Sequence, residues 1–136
     1  MAIKISARAL ATNAVEFQLT DPASVDGDLW FTDEGKPVMA AIYGSASEQF
    51  RKAALALEAK QTARGKRKAT VEETRADNIE LWVACTSHFT ELVNDKGEPL
   101  NTPERIREVF SDSSYQWLVS QVAENITKQA NFIAKN

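Results

Sequence analysis

The feature that most constrains this chain is a change in apolar period near residue 45. Before it, Val15, Phe17 and Leu19 alternate with Glu16 and Gln18, so a strand over Ala14–Thr20 gathers its apolar side chains on one face. After it, apolar residues recur every three or four positions. Phe50, Ala53, Ala54 and Leu57 form one such set, with Gln61 at its end, and Ile79, Trp82 and Val83 form a second. Leu118, Val122, Ile126, Ala130 and Ile133 form a third, with Trp117 beside it. Strands first and helices afterwards specify an α+β fold. The expected architecture is a small N-terminal antiparallel sheet of two or three strands followed by about four α-helices. A sheet that small must bury its apolar face against the helices to persist.

Turn and cap chemistry divides the chain further. Asp21-Pro22 closes the first strand, and Asp26-Gly27-Asp28 adds a turn. Leu29–Thr32, with Trp30 and Phe31, reads as a short strand. Asp33-Glu34-Gly35-Lys36 reads as a hairpin loop, and Pro37 opens a strand that runs through Val38–Tyr43 to Gly44. Ser45 with Glu48 predicts a capping box, and the helix it starts should reach Arg64 and stop at Gly65. Thr70 with Glu73 predicts a second box and a helix to about Val93, with Phe89 and Leu92 in its core face. Asn94-Asp95-Lys96-Gly97 is a turn. Thr102 caps a short helix with Pro103 in its first turn and Ile106, Val109 and Phe110 at helical spacing. A Ser/Asp break at 111–114 separates it from a last helix that the apolar stripe carries to Ile133. Residues 1–13 are weakly patterned, and a helical turn fits them slightly better than a strand. No repeat, low-complexity tract or linker interrupts the chain, so residues 1–136 read as one domain.

Chemistry-bearing residues are sparse. Cys85 is the sole cysteine, which excludes an intrachain disulfide and fits a reducing compartment. Cys85 and His88 lie three apart on the predicted helix and would share a face. A structural zinc site needs four ligands, and no second cysteine or histidine exists to complete it. A core thiol beside an edge imidazole is the simpler reading, and neither a metal nor another cofactor is expected. Glu73, Asp77 and Glu80 fall on one helical face and read as solvated carboxylates. No phosphate-binding, zinc-protease or serine-hydrolase motif occurs, so no enzyme activity is expected. No apolar run approaches the roughly 18 residues of a membrane span, and Lys4 and Arg8 break any secretory apolar core. A cytoplasmic protein without a membrane partner is expected.

Charge is distributed unevenly. Residues 45–68 carry seven Lys/Arg against two Asp/Glu, while residues 69–136 carry six against eleven. Lys60, Arg64, Lys66, Arg67 and Lys68 are therefore candidate partner-binding residues, against the simpler reading of a solvated helix end and loop. Beyond that simpler reading, an acidic protein partner and nucleic acid are the two occupants considered, nucleic acid being unfavoured. No aromatic residue is interleaved for base stacking, and the flanking segments are acidic. A nucleic-acid-binding accessory or regulatory protein using residues 60–68 is the alternative reading. Phe132 is a further candidate contact. On a continuous last helix it sits about 100° from Ile133, so Ile133 would face the core and Phe132 a partner.

Taken in order, several segments resemble one family. These are the strand ending at Asp21-Pro22, the stretch Lys36-Pro37-Val38 to Tyr43-Gly44-Ser45, and Phe50-Arg51-Lys52-Ala53. The basic run at 64–68 follows, leading into Thr70-Val71-Glu72-Glu73. Gly97-Glu98-Pro99-Leu100 then precedes Thr102-Pro103, and Trp117-Leu118 and Ala130-Asn131-Phe132 complete the series. Their order and spacing from about Ala14 to Asn136 resemble the tail assembly chaperones of long-tailed bacteriophages and prophages. One departure is that Thr86-Ser87-His88-Phe89 is not followed by a Gly- or Trp-rich turn. The resemblance implies a non-enzymatic protein of the bacterial host cytoplasm that binds the tape-measure protein and brings tail tube subunits onto it. Homo-oligomerisation is a further expectation. A structural tail or head–tail component that stays in the virion is the other alternative.

Overall fold

A computed structural model describes residues 1–133. Three antiparallel strands form one sheet in the order β1 (Val15–Gln18), β2 (Met39–Ile42), β3 (Thr86–Thr90). Four helices accompany it: α1 (Glu48–Arg64), α2 (Val71–Ala84), α3 (Pro103–Ser111) and α4 (Gln116–Ile126). The expected α+β class and the N-terminal helical turn, at Ile5–Arg8, are both present.

β2 is the central strand, and Ala40, Ala41 and Ile42 are all buried. Its small alanines let neighbouring layers approach from both sides, which is why it lacks the alternation seen in β1. Between β1 and β2, Phe17 faces Ala40, and between β2 and β3, Phe89 faces Ala40. The segment 29–38 forms an arm in place of a full hairpin, held by single bridges between Thr20 and Leu29 and between Phe31 and Pro37. Trp30 is threaded into it, its N–H donating to the Leu19 carbonyl (2.9 Å) and its carbonyl accepting from Val38 N–H (3.0 Å).

Three boundaries differ from the sequence expectation. The predicted helix 70–93 stops at Ala84, and Thr86–Thr90 leaves as β3. Thr86 Oγ1 bonds the Trp82 carbonyl at 2.7 Å, so its hydroxyl helps close the last helical turn. The Thr and Phe residues that follow suit a half-buried sheet, and β2 offers them an unpaired edge. Phe89 remains core, stacked edge-to-face on Phe110 at 6.3 Å. The cap of α1 is Ser47, two residues later than predicted. Its Oγ accepts from Phe50 N–H at 3.1 Å and donates to the Gly44 carbonyl at 2.6 Å. Glu48 is then the first helical residue and pairs with Lys52.

The last helix also ends early. Leu118, Val119, Val122 and Ile126 bury one face of α4, but the helix stops at Ile126. Thr127 Oγ1 turns back onto the Ala123 and Glu124 carbonyls. A 3₁₀ turn over Gln129–Phe132 then redirects the chain. Phe132 is carried into the core at 3% exposure, against Gly44, and Ile133 bridges Leu10. The expected division between these two residues is therefore reversed: Phe132 is the core side chain and Ile133 is half-buried.

Candidate functional site

α1 is unusual among the helices. None of its 17 residues is buried, and Leu55 is 57% exposed. Its sequence accounts for part of this, because after Phe50 its apolar positions are five alanines, which bury little area, and only two leucines. It lies mainly on α2. Gly65, with φ of 64°, ends it in a conformation that only glycine adopts readily. The reciprocal capping box of Thr70 and Glu73 starts α2 five residues later.

Ion pairs fasten the two helices together. Arg64 Nη1 donates to Asp77 Oδ2 at 2.7 Å, Nη2 lies 3.3 Å from Oδ1, and Nε reaches Glu73 Oε2 at 3.0 Å. Arg67 forks onto both Glu73 oxygens at 2.7 and 3.0 Å. Lys60 stands 3.9 Å from Asp77. Hydrogen bonding from Arg67, then from Thr70 N–H, holds the Glu73 carboxyl far below its usual range. The Arg64 hydrogen bond lowers Asp77 in the same way. Partners of this kind prefer fixed, bidentate geometry, which is why Arg and not Lys occupies the two central positions.

This clamp corrects two expectations. The basic block is not a uniformly presented patch, because Lys60, Arg64 and Arg67 face carboxylates of the same chain. Among the described residues only Lys66 and Lys68 of that block lack an ion pair. The acidic face of α2 is likewise not simply solvated. Glu73 and Asp77 take the clamp, and Glu80 takes Arg107 of α3 at 2.7 Å. Sequence reading isolates each charged set. The signal that links them is their opposite sign on consecutive helices joined by a loop of few residues.

Between the two helices lies an open groove of about 660 Å³, which Lys60 and Asp77 of the clamp also line. Ala53, Ala56 and Leu57 line it from α1, and Ala76, Ile79 and Ala84 from α2. Arg75, bonded to the Ser111 carbonyl at 3.3 Å, borders it on the α3 side. The alanines on both walls leave room for the backbone of a further helix, while Lys60, Glu72 and Glu80 add charged groups to the same lining. Sequence reading does not single out Ala56, Ala76 or Ala84, since an alanine carries no signature of the groove it lines.

The remaining candidates take structural places. Cys85 is fully buried at the end of α2, and burial pushes its thiol up to about 12. His88 lies on β3 with Nδ1 3.0 Å from Ser87 Oγ, and because α2 ends at Ala84, Cys85 and His88 do not share the helical face expected of them. Among the described residues no three His, Cys, Asp or Glu side chains gather as metal ligands would. No helix among them is long and apolar enough to cross a membrane. Phe132 is enclosed and does not present a surface. Comparison of the chain with protein-family models, curated proteins and solved structures finds no match.

Proposed function

We propose that this protein is a non-enzymatic phage tail assembly chaperone that works in the bacterial host cytoplasm. In this reading it binds the tape-measure protein and yields it to tail tube subunits. The resemblance in motif order supports the family, and one structural observation supports the role. α1 is clamped along α2 with none of its side chains buried, and the groove beside it sets Ala53, Ala56, Leu57, Ala76, Ile79 and Ala84 among charged residues that line it too. A long helical partner exposes apolar stripes before its tube surrounds it, and a helix laid in such a groove would cover one of them. A contact confined to one open groove would be modest in area and reversible, as displacement by tube subunits requires. The engagement of Lys60, Arg64 and Arg67 by carboxylates weighs against the nucleic-acid reading.

Co-expression with the tape-measure protein tests this. The chain should raise the soluble yield of the tape-measure protein and co-purify with it. Ala56→Arg together with Ala76→Arg, both at exposed positions, should abolish co-purification while the fold persists. Absence of both effects in the wild type would remove the reading. Recovery of the chain from purified mature particles would instead identify a structural tail component.

A further inference from the structure

A second concavity, of about 370 Å³, shares no lining residue with the α1–α2 groove, although Ser111 of the groove and Asp112 of the concavity are adjacent in sequence. Its floor is aromatic. Trp30, from the arm between β1 and β2, meets Trp117 of α4 edge-to-face, with centroids 5.8 Å apart and planes at 67°. Tyr115 adds a third ring, and all three are only half-buried. The rim is charged, and its charges are unequal. Asp95 comes from the turn after β3, while Glu108 and Asp112 come from the end of α3.

The cations at this rim are fewer and one is occupied. Arg105 is held by Glu98 at 3.3 Å, by the Pro99 carbonyl at 3.1 Å and by Asn101 Oδ1 at 3.3 Å. Lys96 is the remaining ammonium, and among the described residues it forms no ion pair. Of the three carboxylates, Asp112 uses Oδ1 to accept from Ser114 N–H at 2.9 Å, leaving Oδ2. Asp95 and Glu108 make no side-chain hydrogen bond or ion pair among the described residues. The concavity thus combines three half-buried aromatic rings with an excess of carboxylate.

We infer that this concavity is a binding site for a cationic side chain, an arginine in preference to a lysine, carried by a protein partner. Ring faces attract a cation through their quadrupole, and nearby carboxylates add a direct charge. A guanidinium is planar, so it stacks on an indole while its edge forks onto a carboxylate. Val93, which is 55% exposed, also lines the site, so a polypeptide bearing the cation has an apolar contact at the surface. The inference goes beyond the assembly role and does not depend on which partner fills the α1–α2 groove.

Tryptophan fluorescence tests it directly. In a Trp82→Phe background, Trp30 and Trp117 are the remaining indoles. The full chain is titrated with a short alanine-based peptide carrying a single arginine, and with the same peptide carrying glutamate or glutamine. The arginine peptide should give a saturable signal change that the other two do not. The Asp95→Asn/Glu108→Gln double variant should bind it about fivefold or more weakly at an unchanged melting temperature. Three results would overturn the inference. One is equal binding of the arginine and glutamate peptides. Another is undiminished affinity in the double variant. The third is binding of tetramethylammonium alone as tight as that of the arginine peptide, which would make the site one for small free organic cations.

Discussion

Gln121 and Thr20 exchange two hydrogen bonds of 2.9 Å each, across 101 residues of sequence. The side-chain amide accepts from Thr20 N–H and donates to Thr20 C=O, as a neighbouring strand would. It thereby fastens α4 to the chain just past β1, next to the fully buried Leu19. A Gln121→Leu variant leaves both backbone groups without that partner. It should destabilise the fold by about 1–3 kcal/mol. Urea denaturation measures this as a lower midpoint with an unchanged slope.

The Arg64–Asp77–Glu73 clamp makes a prediction about local order and acid. Both carboxyls titrate below their ordinary values, chiefly through hydrogen bonds from Arg64 to Asp77 and from Arg67 to Glu73. Their contribution is therefore present above the ordinary carboxylate range, about pH 4, and is lost as pH falls through the lowered folded values. Amide exchange in α1 should accelerate in strong acid before exchange in β2 does. Asp77→Asn should already show fast α1 exchange at neutral pH, with a weaker acid response. Wild-type exchange rates in that variant would mean that packing on α2, and not the clamp, holds α1.

What the sequence discloses is what neighbours in sequence decide. The Thr70–Glu73 box, the Thr102–Pro103 start and the Gly65 stop are each fixed within a few residues, and each is found where the residues place it. β3 is different. Nothing between Ile79 and Val93 is a glycine or proline, so the stretch reads as continuing helix. Its conversion to strand depends on β2, more than 40 residues earlier in the chain. The end of α4 fails for the same reason, because the chain leaves the helix after Ile126 and so brings Phe132 to a space beside Gly44. The clamp and the groove are products of how two helices approach, which no single window contains. The basic block and the acidic face are visible in the sequence, but their pairing is not.

Cys85 should be chemically silent in the native state. It has no exposed surface, and burial raises its thiol to about 12. Because only the thiolate reacts, a thiol reagent at pH 7 should label it only as fast as the fold opens. A raised folded value means that the native state keeps its proton where the unfolded chain has lost it. Stability should therefore decline as pH climbs above the unfolded thiol value of about 8.5. Cys85→Ala should remove that part of the alkaline decline. Rapid stoichiometric labelling of the wild type under native conditions would contradict the placement.

Gly44 and Phe132 form the most sharply testable contact. Gly44 does not adopt a left-handed conformation, so its backbone alone does not demand glycine. Space does: a Cβ at position 44 would lie 2.8 Å from the Phe132 ring. Gly44→Ala should thus cost about 1–3 kcal/mol by overpacking. Phe132→Ala should cost about 3–5 kcal/mol, since the ring is 3% exposed and the Ala11 N–H bond to its carbonyl anchors the same turn. The two effects should not add, because removing the ring frees the space that the new methyl needs. In a double-mutant cycle, Gly44→Ala should be nearly neutral in the Phe132→Ala background, a coupling of about 0.5–3 kcal/mol. Additive losses would show that Gly44 is needed for something other than room for Phe132, and the docking of the chain end would have to be explained without it.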